Sequence, residues 1–531
     1  MGFDNSISDW YIQPMARIMA GVLTKLSAIF VLVMCSSVIV QAQTFEEWKK
    51  QQQEEFQAYK DKFDEDFIKM LKSTWEEVGV NSGAGFYNEL KPIDIPIYTP
   101  PERPENELPD EVVIEENVTI NLNFDLDTEP IDLPTPAPDI EIKDEATVEK
   151  AFNFFGDVDT RFHQLEFFSN AIPFSYPAMI FRKLNPSKYR NGEIDNDRIA
   201  EFWEEVSSVN HTEFVNHTKN LKSELALNDW GYILLINSIS KDIVGEQNPN
   251  LVRLMNWFLL TKAGYRTKVG YDQNGVYNLF AVSGNVFDCK YYILDGEKYF
   301  PINFNDEYQT PNSIFTYLGG HQAQVRKLDL SIEKYPVFDN QANTFQKTLR
   351  FEFKNRHYEF PVTASKDLIS YFEYYPRTDL PVFFSASMSE STKKQLYTQL
   401  EPILETMNEL QAVNFLLRMV QTSFEYKADQ DQFDREKYML PDEIFYYKYS
   451  DCDDRAIFFA TLVKELLGLD VIALRYSRHL ATAVKFTHTV PGDYHISQGQ
   501  KYVVADPTYV NAPVGLTMTS YRNERPEIIR F

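Results

Sequence analysis

The chain has 531 residues, 44% of them hydrophobic and 15% aromatic, and carries a formal net charge of −26. That length calls for roughly two to four domains with substantial cores. The charge argues against a nucleic-acid partner, which would want a basic stripe; it reads more plainly as an acidic, solvated surface and names no partner of its own.

Residues 1–42 read as a signal peptide. Arg17 and Lys25 precede the apolar run Leu26 to Val40, and Val40-Gln41-Ala42 offers a cleavage site before Gln43. The run is 15 residues long, short of the ~20 that a membrane span needs. Cleavage predicts an exported protein, periplasmic where the cell has a periplasm; an uncleaved run would instead anchor it to the membrane. Cys35 lies inside the run, so the exported chain would keep only Cys289 and Cys452. Two cysteines make no disulfide framework, although a bridge between them would silence either thiol.

Residues 43–78 predict one amphipathic helix, with Phe45, Trp48, Phe56, Tyr59, Phe63 and Trp75 near helical spacing. Its apolar stripe would dock on the body of the protein or, through residues 45–75, on a partner. Residues 79–144 are rich in proline and acid and read as an extended linker, within which Val112 to Leu126 alternates partly like a strand. Residues 145–310 form the first α+β segment, mostly helical up to 245. Residues 311–388 read as a small β module: Thr348 to Lys354 alternates, Arg356-His357 turns, and Tyr358 to Val362 returns. Residues 389–531 form a second α+β segment, whose first helix carries Val413, Leu416, Leu417 and Val420 on one face.

Chemistry concentrates in this last segment. Cys452 opens a predicted helix to Leu467, with Ser450 or Asp451 as cap and Gly468 as stop. Free amides and the helix dipole at that position favour a thiolate. The flanking Asp451, Asp453 and Asp454 oppose it unless they turn away or pair with Arg455. His479 follows 27 residues later at the start of a strand, and Asp506 follows after another 27 at the end of one. A thiol nucleophile, an imidazole base and a carboxylate that orients the base are the parts of a catalytic triad. The backbone amide of Cys452 is the one oxyanion donor the sequence names.

At these residues the chain resembles the transglutaminase-like cysteine enzymes, a papain-like superfamily. Asp451-Cys452-Asp453-Asp454, His479 and Asp506-Pro507-Thr508 match its pattern over about residues 411 to 510. Ser450 stands where that family has glycine, and Leu480-Ala481 stands where it has a small residue and an aromatic. The resemblance implies a Cys452, His479, Asp506 triad acting on a peptide or isopeptide amide of a protein or cell-envelope substrate, by hydrolysis or acyl transfer, without a cofactor. A non-catalytic envelope scaffold or peptide-binding protein built on the same domains is the alternative.

An internal comparison predicts a second, degenerate copy at 145–310. Gly264 pairs with Gly468, placing Asn248 opposite Cys452; Asn278 to Val282 is matched with Leu480 to Val484, placing Tyr277 opposite His479; and Gly296 pairs with Gly499, placing Asn303 opposite Asp506. None of the three supplies triad chemistry. No metal-ligand spacing and no phosphate loop stands out. The predicted fold is thus α+β: two domains of papain/transglutaminase type, each a helix against an antiparallel sheet.

Overall fold

The computed structural model describes residues 62–73, 75–82, 94–100, 160–302, 310–321, 325–338 and 343–531. The chain divides into two compact units, Met1–Phe67 and Ile68–Phe531; of the first, residues 62–67 are described and are helical. The predicted signal peptide, most of the 43–78 helix, the strand at Val112 to Leu126 and Asn303 lie outside the described residues. No helix among the described residues is long and apolar enough to cross a membrane.

The larger unit is mixed α+β, with two antiparallel sheets that each receive a long buried helix. In the first, β1 (Glu76–Gly79), β4 (Thr267–Asp272), β5 (Gly275–Ala281), β6 (Tyr292–Leu294), β7 (Glu297–Phe300) and β8 (Ser313–Thr316) lie in the order β1-β8-β4-β5-β7-β6. Between β1 and β4 in the chain come a hairpin, β2 (Thr160–Phe167) and β3 (Asn170–Pro177), and the helices α1 (Ala178–Lys183), α2 (Asn196–Ser207), α3 (Thr212–Glu224), α4 (Asp229–Val244) and α5 (Pro249–Lys262). The α5 helix, starting at a proline that needs no amide partner, packs on β4 and β5.

The second half repeats this plan. A hairpin of β9 (Thr344–Phe353) and β10 (Arg356–Ser365) leads into α6 (Lys366–Phe372), α7 (Leu380–Ser385), α8 (Glu390–Leu404), α9 (Glu409–Ser423) and α10 (Asp429–Phe433). A short parallel pair, β11 (Glu425–Tyr426) with β12 (Tyr449–Ser450), then delivers the chain to α11 (Cys452–Leu467). The strands β13 (Val471–Tyr476), β14 (His479–Val484), β15 (Tyr494–Ser497), β16 (Gln500–Ala505) and β17 (Glu527–Ile529) lie in the order β15-β16-β14-β13-β17. Read from the other edge, that is the order of the first sheet without β1.

The correspondence extends to register. Gly264 and Gly468 end α5 and α11 with positive φ, the two-residue turns after Asp272 and Tyr476 match, and the strand pairs begin at Thr267↔Phe280 and Val471↔Val484, all at a constant offset of 204. The next hairpins turn through Asp295-Gly296 and Gln498-Gly499 with positive φ at all four residues, at an offset of 203. The cross-pairs Phe280↔Phe300 and Val484↔Val503 agree with both offsets. A one-residue slip would reverse every side chain, so a match through three strand pairings is a stringent likeness.

Several expected boundaries move. The predicted helix to 78 stops at 71, and Glu76–Gly79 is a strand pairing with β8. Trp75 fixes this join: its indole lies 5.3 Å from the rings of both Tyr271 and Tyr317, and its Nε1 donates to Leu71 O at 2.8 Å. A sheet edge overrides the helix propensity of the glutamates. Residues 160–177, expected to be helical, form a hairpin that buries Leu165, Phe167, Ile172, Phe174 and Tyr176. The first α+β unit also runs past 310: β8 completes its sheet, and Arg326 and Leu328 bridge to Tyr265 and Val282.

The β9–β10 hairpin is not a separate module. Phe351, Phe353 and Tyr358 pack around Phe415 of α9 at 5.0–5.4 Å, and Gln395 of α8 bonds both backbone groups of Thr363 at 3.0 Å. Two strands alone enclose no core; this pair borrows one from the C-terminal helices.

Candidate active site

The start of α11 is held by its own acids. Asp451 caps the helix by accepting from Asp453 N at 3.1 Å, and Asp454 Oδ2 reaches back to Asp451 N at 3.0 Å, a reciprocal capping box. The other Asp454 oxygen accepts from Met439 N at 2.9 Å. These buried carboxylates therefore spend their charge on backbone donors. Asp429, Asp451 and Asp454 place oxygens within 4.8 Å of one another, as a metal site would, but Asp429 also accepts a backbone amide, from Lys437 at 2.9 Å. A frame-building role accounts for the trio.

Arg455 is fully buried and does not pair with its acidic neighbours by any short ion bridge. Its guanidinium donates to Ser450 Oγ at 3.1 Å, Gln421 O at 3.3 Å and Phe424 O at 2.8 Å. Burial pushes its pKa down to about 10, and nearby Tyr426, Asp451 and Asp454 oppose that fall. Ser450, where the resembled family has glycine, thus supplies a ligand for this arginine.

Cys452 occupies the first turn of α11, 1% exposed, with Sγ 3.5 Å from Asp453 Oδ1. His479 opens β14 directly after the hairpin turn, and Asp506 follows β16. The sheet places these two strands side by side, and His479 Nε2 meets Asp506 Oδ2 at 2.8 Å. Asp506 Oδ1 is occupied by Thr508 N at 3.0 Å and Tyr509 N at 3.2 Å. The imidazole is thereby pinned through one nitrogen, while its Nδ1 is buried with no hydrogen-bond partner.

Two groups here left no signal in the sequence motif. Tyr521, on the segment between β16 and β17, lays its ring parallel to His479 at 5.4 Å and 17°. Burial raises its phenol above the ordinary value, and the charge of Cys452 is the next cause, so one tyrosine senses both the thiol and the imidazole. Its segment is tied down at both sides: Thr517 N donates to Asp493 Oδ2 at 3.0 Å, and Ser477 Oγ to Glu524 Oε2 at 3.0 Å. Gln421 of α9 sends Nε2 to the carbonyls of Asp506, Tyr509 and Ala512 at 2.8–3.1 Å and so fixes the loop carrying the acid. Both act from distant segments, which is why neighbouring sequence did not reveal them.

The first half holds different chemistry at the matching places. Asn248 is the cap residue of α5 and donates to Val244 O at 2.7 Å. Tyr277 is buried and donates to Asp272 Oδ1 at 2.9 Å, but the hairpin register sets Gly275, not Tyr277, opposite His479. The expected pairing was displaced by two residues because apolar similarity was matched where the turn sets the count. A Cβ on Gly275 would stand 2.5 Å from Asn250 Oδ1, which accepts Val276 N at 3.0 Å. Amide groups fill the space that an imidazole would need.

Neither Cys289 nor Cys452 is disulfide-bonded, so no bridge ties up the thiol. Burial, with Asp288 second, pushes the Cys289 pKa up to about 12. No family model, no curated protein and no solved structure matches this chain.

Proposed function

We propose that the protein is an exported, transglutaminase-like cysteine hydrolase or acyltransferase, with Cys452 as nucleophile, His479 as base and Asp506 as the group orienting it. The observation that carries this reading is the His479–Asp506 bond at 2.8 Å, made by one imidazole nitrogen while the other is buried and unpartnered. An imidazole held that way takes a thiol proton through its remaining nitrogen, and the adjacent carboxylate stabilises the imidazolium that results. The thiolate attacks an amide carbonyl, the Cys452 backbone amide supports the oxyanion, the amine departs, and water or another amine resolves the thioester. Shared strand order and register favour reading the two halves as a duplicated papain/transglutaminase-like pair, of which the first has no nucleophile.

One observation favours the rival reading, a non-catalytic envelope scaffold: Cys452, His479 and Asp506 are 1%, 4% and 3% exposed. Iodoacetamide separates the two. A triad thiol is alkylated readily below pH 8, and His479→Ala slows that reaction at least tenfold. Alkylation of an ordinary slow thiol, indifferent to His479→Ala, would favour the scaffold.

A further inference from the structure

Residues 94–100 lie against the loop that follows β16. Ile97 forms a parallel bridge with Val510. Val510 N donates to Pro96 O at 2.9 Å, and Tyr98 N donates to Val510 O at 2.8 Å. The Tyr98 ring meets the Tyr509 ring edge-on at 5.8 Å. Within 94–100, Ile97 is the only bridging residue, and its side chain is 61% exposed. A segment that belonged to the core would bury an isoleucine; this one is held by its main chain and leaves the isoleucine in water.

Pairing of this kind takes up an extended peptide through backbone bonds, with side chains only loosely read. The receiving loop is held in place for it. Gln421 clamps the carbonyl of Tyr509, and Tyr509 N is committed to the Asp506 carboxylate. Asp506 in turn holds His479. The strip therefore lies four residues along the chain from Asp506 and is tied to it through Tyr509 N.

We propose that Tyr509–Val510 is a main-chain binding strip for an extended peptide, that this peptide is the substrate of the thiol site, and that Pro96–Tyr98 occupies the strip in cis. The use made of the peptide rests on the thiol-hydrolase reading; its binding does not. The substrate class is an unfolded peptide or polypeptide segment able to offer a carbonyl and, two residues on, an N–H. A tethered occupant competes at an effective concentration on the order of millimolar, so the strip stays closed to weaker peptides until residues 94–100 leave.

The test uses the full chain and a fluorescent synthetic peptide of residues 92–102. Tyr98→Pro removes the N–H given to Val510 and frees the strip. By anisotropy this variant binds the peptide about three- to tenfold more tightly than the unmodified chain, the worth of the bond removed, and Tyr98→Ala, which loses only the ring contact, shows a smaller gain. A peptide N-methylated at its Tyr98 position binds about three- to tenfold more weakly, the worth of one net hydrogen bond. Equal binding of the two peptides, or no binding to either folded variant, overturns the strip. Adding Cys452→Ala leaves peptide affinity unchanged, which keeps this outcome separate from the fate of the catalytic reading. Bound peptide slows alkylation of Cys452 in Tyr98→Pro at least threefold; an unchanged rate overturns the claim that the strip feeds the thiol.

Discussion

At the scale of single residues, the site is a set of groups whose neighbours decide what they can do. Tyr521 lies parallel to His479 and near Cys452, and Cys452, His479 and Asp506 are buried. Tyr521→Ala is expected to raise the alkylation rate of Cys452 severalfold while leaving the dependence on His479 intact. An unchanged rate in that variant would show that the cover lies elsewhere. The second thiol provides an internal control. Cys289 is half-buried and Cys452 buried, yet the surroundings of Cys289 hold its thiol well above the ordinary range, so it offers little thiolate at pH 8, and the thiolate is the reactive form. Peptide mapping after labelling at pH 8 is expected to find the modification on Cys452 alone, with Cys289 reacting only as the pH approaches its own titration. The arginine beside the nucleophile carries a different lesson. Asp453, Asp454 and Arg455 suggested charge pairing from sequence, yet the guanidinium is spent on Ser450 and two carbonyls, Asp454 on two amides, and Asp453 faces the Cys452 thiol.

At the scale of elements, α11 carries Cys452 and α9 fixes the loop that carries Asp506. The capping box at Asp451 and Asp454 makes the first turn of α11 rigid, and its opening residues were readable because caps and stops act over three or four positions. The clamp from α9 was not readable, because Gln421 reaches a loop more than 80 residues away. Gln421→Leu strips a partner from the carbonyls of Asp506, Tyr509 and Ala512. Tyr509 O keeps Ala512 N at 3.1 Å, and leaving the acceptors of Asp506 and Ala512 unpaired costs about 2–6 kcal/mol in total. The urea midpoint is expected to fall accordingly, and alkylation of Cys452 to lose its sensitivity to His479 as the acid loop loosens; a midpoint at the original value would show that water replaces the glutamine. The edge strand β1 and the β9–β10 hairpin were misjudged for the same physical reason. Local alternation and propensity describe a segment, whereas its partner is chosen by which sheet edge or helix face is open.

At the scale of the whole molecule, two halves of like topology carry unlike chemistry. In a Cys452→Ala background, Asn248→Cys is expected to restore no His-dependent thiol reactivity, since Gly275 and Asn250 occupy the place of the base. Gly275→His is expected to lower the melting temperature rather than build a site, because its Cβ would press on Asn250; a stable double variant with fast thiol chemistry would contradict this. Stability should also follow two buried acids. Burial raises Asp442 and Glu443 above their ordinary values, against hydrogen bonds from Ser389 in one case and the charge of Lys437 in the other. A carboxyl whose folded pKa is raised favours the protonated folded state, so its contribution is whole below the unfolded value and is lost as pH climbs through the folded one. Asp442→Asn should therefore gain on the unmodified chain in urea midpoint as pH climbs above the ordinary carboxylate range, and a constant difference would rule the effect out. Read alone, the sequence determined the α+β alternation, the start and stop of α11, and the order Cys452, His479, Asp506, because these depend on short-range periodicity, capping and turns. Folding in three dimensions decided that Nε2 of His479 faces Asp506, that Tyr521 and Gln421 serve the same three residues, and that Gly275 rather than Tyr277 stands opposite the histidine. Those facts depend on strand register and on side chains that meet across long stretches of chain, and no local pattern of residues encodes them.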